Sequence, residues 1–102
     1  METGVSEISD GSLLRRRGDV VFSQMDGETV MMDAEMESYF GLSKVATYIW
    51  NLLEKEYRFG DLIQDLLKAA GDTVTEERCR AETAAFLNDL KGRGFIEVVD
   101  PA

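Results

Sequence analysis

The feature that most constrains this chain is a switch in character just before its middle. Between Val20 and Leu42 most large apolar residues fall in three short runs, Val20 to Met25, Thr29 to Asp33 and Ser38 to Leu42; beyond Ser43 they recur at i, i+3, i+4. Short β-branched and aromatic runs bounded by turn residues read as strands, whereas the later period reads as amphipathic helices. The order of strands first and helices after predicts an α+β domain with one core between the two layers.

Local signals sharpen each element. Asp26-Gly27 between the first two runs is a pair that favours a two-residue hairpin turn. Ala34 to Glu37 connects to the third run, giving a three-stranded antiparallel β-meander. In that third strand Phe40 and Leu42 share one face and are expected inward, with Tyr39 pointing away. Ser43 caps a first helix reaching about Glu56, with Val45, Ala46, Ile49, Trp50, Leu52 and Leu53 in its apolar pattern. A second helix is expected over Phe59 to Ala70, closed by Gly71. Thr73 or Thr75 caps a third, whose stripe is Cys79, Thr83, Phe86, Leu87 and Leu90 and whose stop is Gly92 and Gly94. Phe95 to Val99 reads as a brief β return. Met1 to Gly18, poor in large apolar residues and ending in Arg15-Arg16-Arg17, reads as a flexible tail, so the folded domain is expected over residues 19–102.

Inventory removes most chemistry. Histidine is absent and Cys79 is the single cysteine among 102 residues. Catalytic triads, zinc clusters and disulfides are therefore out of reach, and Cys79 on an apolar helix face reads as a packed thiol. Asp33, Glu35 and Glu37 around one turn read as a solvated charged face. Gly92-x-Gly94 closes a helix and so is no phosphate cradle. The expectation is a protein that is no enzyme and holds no cofactor or metal.

Twenty acidic against eleven basic residues give a net charge of −9, which repels nucleic acid and anionic membranes. Three helices with a small β return suggest a winged helix-turn-helix, but the third helix opens on Glu76 and Glu77, where a DNA reader would meet phosphates. A DNA-binding regulator is thus the weaker alternative. No long apolar run and no signal-peptide pattern is present, so a cytoplasmic location is expected.

The remaining candidate site is geometric. The third strand, Glu37 to Leu42, contains neither proline nor lysine, and its open edge would accept a peptide as an added strand. Cover by the chain's own tail or by a dimer mate is the competing explanation.

The ordered residues Met32-Asp33, Ser38-Tyr39-Phe40-Gly41-Leu42-Ser43, Ile49-Trp50-Asn51-Leu52-Leu53, Glu77-Arg78-Cys79, Ala85-Phe86-Leu87 with Leu90, and Gly94-Phe95-Ile96 resemble the pattern of PqqD-like proteins over about residues 19–99. Within that group the likeness is to the discrete leader-binding B proteins of lasso peptide biosynthesis. The resemblance implies a winged helix-turn-helix-like recognition element for ribosomally made, modified peptides, which takes a precursor's leader as an extra strand. It implies a peptide ladder at Glu37, Ser38, Tyr39, Phe40 and Gly41, and a groove lined by Arg78, Glu82, Phe86 and Leu90. By position alone, Phe86 and Leu90 fit a core stripe, and Arg78 and Glu82 fit ordinary surface charge. It further implies partner enzymes on other chains, a cysteine-protease leader peptidase and an ATP-dependent cyclase; a carrier role in quinone cofactor biosynthesis is the related alternative. Two departures stand out: Ala46-Thr47 where relatives often carry glycine, and Glu37-Ser38 where a glycine followed by a basic residue is common.

Overall fold

In a computed structural model, residues 8–33 and 37–100 are described. The expected three-stranded meander is formed by β2 (Val21–Met25), β3 (Glu28–Asp33) and β4 (Ser38–Leu42), in that spatial order. Its first turn has Asp26 at φ 55° and Gly27 at φ 80°, the positive angles that a two-residue hairpin of this hand requires. Most of the second connection, residues 34–36 with Glu35 among them, lies outside the described residues. The three helices follow as α1 (Lys44–Leu52), α2 (Phe59–Ala70) and α3 (Glu76–Gly92). Ser43 and Thr75 cap α1 and α3 by accepting bonds from the backbone N–H groups of Ala46 and Arg78, and Gly71 ends α2. The first helix stops about a turn earlier than its period suggested, because Glu54, Lys55 and Glu56 leave the apolar stripe and the chain bends into a short strand.

A second sheet corrects the expectation of a flexible tail over residues 1–18. Residues 1–7 lie outside the described residues, but β1 (Leu13–Arg16) is the central strand between β5 (Tyr57–Arg58) and β6 (Ile96–Val99), both antiparallel. One side chain decides this: Leu14 is fully buried, and a single well-packed leucine contributes on the order of 2 kcal/mol. Polar ties reinforce it. Ser12 donates to Asp100, and Arg80 of α3 donates to Asp10, whose carboxyl it holds below the usual range.

The core lies between the meander and the helices and contains Leu14, Met31, Leu42, Trp50, Leu53, Phe59, Leu62, Ile63, Leu87, Leu90 and Phe95. Asp33, expected in solvent, is buried. At the C-terminal end of α1, Arg16 lies 4.3 Å over the Trp50 ring and 5.1 Å over Phe22, and donates to the Trp50 carbonyl at 2.7 Å. A cation placed on the last carbonyls of a helix satisfies an open acceptor and meets the negative end of its dipole. The departure at Thr47 is absorbed locally: its hydroxyl is buried and shares a 2.8 Å hydrogen bond with Thr29, tying α1 to β3. No helix among the described residues is long and apolar enough to cross a membrane.

Candidate functional site: the free edge of β4

Strand β4 pairs with β3 through Asp33↔Ser38, Met32↔Tyr39, Met31↔Phe40, Val30↔Gly41 and Thr29↔Leu42. Its other side has no strand partner among the described residues. The hairpin turn determines which backbone groups face that open side. A two-residue turn closes on a hydrogen-bonded pair, here Met25 and Glu28, and bonded and non-bonded pairs then alternate along an antiparallel ladder. Glu28, Val30 and Met32 therefore bond to β2, and Thr29, Met31 and Asp33 to β4. Their partners Leu42, Phe40 and Ser38 spend their N–H and C=O groups inside the sheet. Tyr39 and Gly41 are left with N–H and C=O directed outward, a two-residue spacing that an extended peptide can match.

Side chains around the edge divide by face. Tyr39 is 72% exposed on the outer face. Phe40 points inward and is half-buried, stacked on Phe95 at 6.1 Å with the Arg93 guanidinium 3.9 Å over its ring. The inward placement of Phe40 and Leu42 and the outward placement of Tyr39 follow the two-residue period. Glu37 precedes the strand at φ 50°, a left-handed conformation natural to glycine.

Immediately after β4 an apolar groove of about 610 Å³ opens beside Ser43 and Lys44, with Val45 and Tyr48 of α1, Leu66 of α2 and Phe86 of α3 on its walls. Val45 is 72% and Tyr48 46% exposed although both are large and apolar. Glu82 stands in the groove wall, and Arg78 donates to it at 2.8 Å from the preceding turn of the helix. Both are well exposed, and the carboxylate beside Arg78 holds its guanidinium more firmly protonated.

Of the residues expected at the site, Tyr39 and Gly41 supply open backbone groups, Glu37 and Ser38 stand exposed at the strand's start, and Glu82 and Phe86 line the groove. Leu90 is a correction: it is fully buried in the core and presents no surface to a ligand. Phe40 likewise offers no backbone group to the edge. Val45, Tyr48 and Leu66 join the groove without being among the expected site residues; the spacing of Val45 alone fits the apolar pattern of the first helix. The signal was present, since Ala46, Ile49, Trp50 and Leu53 already fill an inward face of α1 and leave Val45 and Tyr48, three residues apart, on another. No group of acidic, cysteine or histidine residues suited to a metal ion occurs among the described residues.

The family model described as Coenzyme PQQ synthesis protein D (PqqD) matches residues 28–96. Among solved structures, the chain is similar to TbiB1 in complex with the TbiA(beta) leader peptide, with 26% identity and a TM-score of 0.69 over 81% of this chain and 94% of that one. It also shares the fold of a lasso peptide synthetase B1 complexed with the leader peptide, at 24% identity and a TM-score of 0.67, over 82% of this chain and 96% of the other. No curated protein sequence matches.

Proposed function

From the premise that this chain belongs to the PqqD family, we propose that it binds the leader segment of a ribosomally synthesised precursor by strand addition to β4 and presents it to separate maturation enzymes. The observation that carries the reading is the open edge at Tyr39 and Gly41, with an apolar groove lined by Phe86 opening at Ser43 and Lys44 just past the strand's end. Main-chain bonds at the edge supply affinity independent of sequence, and the groove selects apolar side chains of the peptide. The similar TbiB1 is a leader-peptide complex. Ser38, Tyr39, Phe40 and Gly41, with Glu37 just before them, make the edge against which the peptide lies, with Glu82 and Phe86 on the groove wall and Arg78 at its rim.

In a lasso system the enzymes served are a leader peptidase of the cysteine-protease type and an ATP-dependent cyclase. The chain itself carries no catalytic step in this reading, and no nucleic acid or membrane is engaged. The family description names coenzyme PQQ synthesis, which supports a second reading, a peptide carrier in quinone cofactor biosynthesis with the same edge at work.

The deciding experiment is a titration of the whole chain with the synthetic leader of a neighbouring precursor gene, followed by amide chemical shifts. Strand addition predicts the largest shifts at Tyr39 and Gly41, whose N–H groups acquire acceptors. Saturation of the protein without shifts in residues 37–42 would sink the model.

A further inference from the structure

The meander has a second edge, and among the described residues no strand covers it. All five residues of β2, Val-Phe-Ser-Gln-Met, are exposed, Val21 at 62% and Met25 at 77%. Natural edge strands are ordinarily blunted by lysine, proline, a bulge or inward charge. Strand β2 has none of these: its register with β3 is continuous, and it carries no charge in a chain where charged residues make up 30%. The alternation that frees Tyr39 and Gly41 on β4 frees the N–H and C=O groups of Phe22 and Gln24 on β2, and among the described residues no other strand pairs with them.

We propose that a second copy of this chain occupies this edge, pairing β2 with β2 antiparallel about a two-fold axis through Ser23. The sequence of the strand is self-complementary in that register. Phe22 of each copy exchanges both backbone bonds with Gln24 of the other, which uses every outward group of the strand. Ser23 meets its own symmetry mate as a non-hydrogen-bonded pair, the close pairing in which side chains approach most. Val21 meets Met25 of the other copy, and the reverse, so the two most exposed apolar side chains of the strand cover each other on the outer face. An isologous contact needs this agreement of a patch with itself.

Charge favours the same choice of place. Two copies of net charge −9 repel over most orientations, and an uncharged strand is where they approach at least cost. The result is a six-stranded sheet in the order β4-β3-β2-β2-β3-β4, with both β4 edges at its outer ends. The pairing does not depend on the proposed leader site and leaves it open.

Sedimentation equilibrium of the full chain, over a series into the high micromolar range, should show a reversible dimer. Ser23→Lys places two like charges opposite each other on the axis while substituting a side chain exposed in the monomer, so it should sediment as a monomer with an unchanged thermal transition. Ser23→Cys should form a disulfide dimer under mild oxidation, since a non-hydrogen-bonded antiparallel pair brings the Cα atoms to about 4.5 Å, within disulfide reach. Tyr39→Cys, also exposed on the same face but far from the axis, serves as the control, and the native Cys79 is buried. A wild-type chain monomeric throughout the series, a Ser23→Lys dimer as strong as wild type, or a Ser23→Cys variant that oxidises to dimer no faster than the Tyr39→Cys variant would each overturn the pairing.

Discussion

The two edges of the meander offer a ligand the same thing in backbone terms and different things in every other respect. Each presents two outward residues, Tyr39 and Gly41 on β4, Phe22 and Gln24 on β2. Past the end of β4 open an apolar groove and, on its wall and rim, the ion pair of Glu82 and Arg78; the inward side chains of β2, Phe22 and Gln24, are already engaged by Arg16, Trp50 and Asn51. A ladder of main-chain bonds cannot distinguish one extended chain from another. Discrimination must come from flanking pockets, and among the described residues the apolar groove lies next to the end of β4. The bare edge suits a partner whose identity needs no reading, such as an identical strand.

The largest effects separate outward from inward residues of one strand. Phe40→Pro removes an N–H committed to β3 and leaves the Met31 carbonyl without its donor, at a cost on the order of 3 kcal/mol. A lowered melting temperature by circular dichroism is expected, and binding fails because the sheet fails. Gly41→Pro removes an N–H that faces solvent, a position where edge strands accept proline. Its melting temperature should stay near wild type while leader binding is lost. Gln24→Pro, the matching change on β2, should leave leader binding intact. A larger loss of stability in Gly41→Pro than in Phe40→Pro would mean that the ladder alternates the other way.

Next in size is the contrast between two α3 residues that sequence alone placed on one stripe. Leu90→Ala should cost about 2–5 kcal/mol in chemical denaturation, because it empties a fully enclosed site. Phe86→Ala, on the groove wall, should cost less stability but weaken leader binding roughly tenfold, or about 1.4 kcal/mol. If Phe86→Ala binds as wild type, the groove has no part in selection and the two edges of the sheet become equivalent.

How much of this was legible beforehand follows from how local each signal is. The meander, the caps at Ser43 and Thr75, the inward pair Phe40 and Leu42 and the extent of α2 rest on residues close in sequence, and the period revealed them. Strand β1 escaped because its evidence is non-local: Leu13-Leu14 beside three arginines resembles a tail until Val98 and Tyr57 arrive as its neighbours. The same distance effect hid the groove. Val45, Leu66 and Phe86 lie on three different helices, and each looks like core until the packing shows that they face one another across a gap. The open groups at Tyr39 and Gly41 lie between these cases, because they need only the register that Asp26-Gly27 imposes.

That dependence on register gives the smallest test, at the two turns that bound β3. The first turn fits its backbone with Gly27 at φ 80°; the second holds Glu37 at φ 50°, a conformation in which an L-residue with a Cβ costs roughly 1–2 kcal/mol. Gly27→Ala should destabilise by about that amount, and the cause is conformational, since the nearest atom to a Cβ there is Lys44 Cγ at an ordinary 3.7 Å. Glu37→Gly should do the reverse and gain about 1 kcal/mol, less what the freer unfolded chain takes back. Because Glu37 abuts the strand that receives the leader, the gain should appear in urea unfolding while the pattern of leader-induced shifts at Tyr39 and Gly41 is unchanged. A shift pattern moved by one residue would instead show that this second turn, and not Asp26-Gly27, decides which groups of β4 face outward.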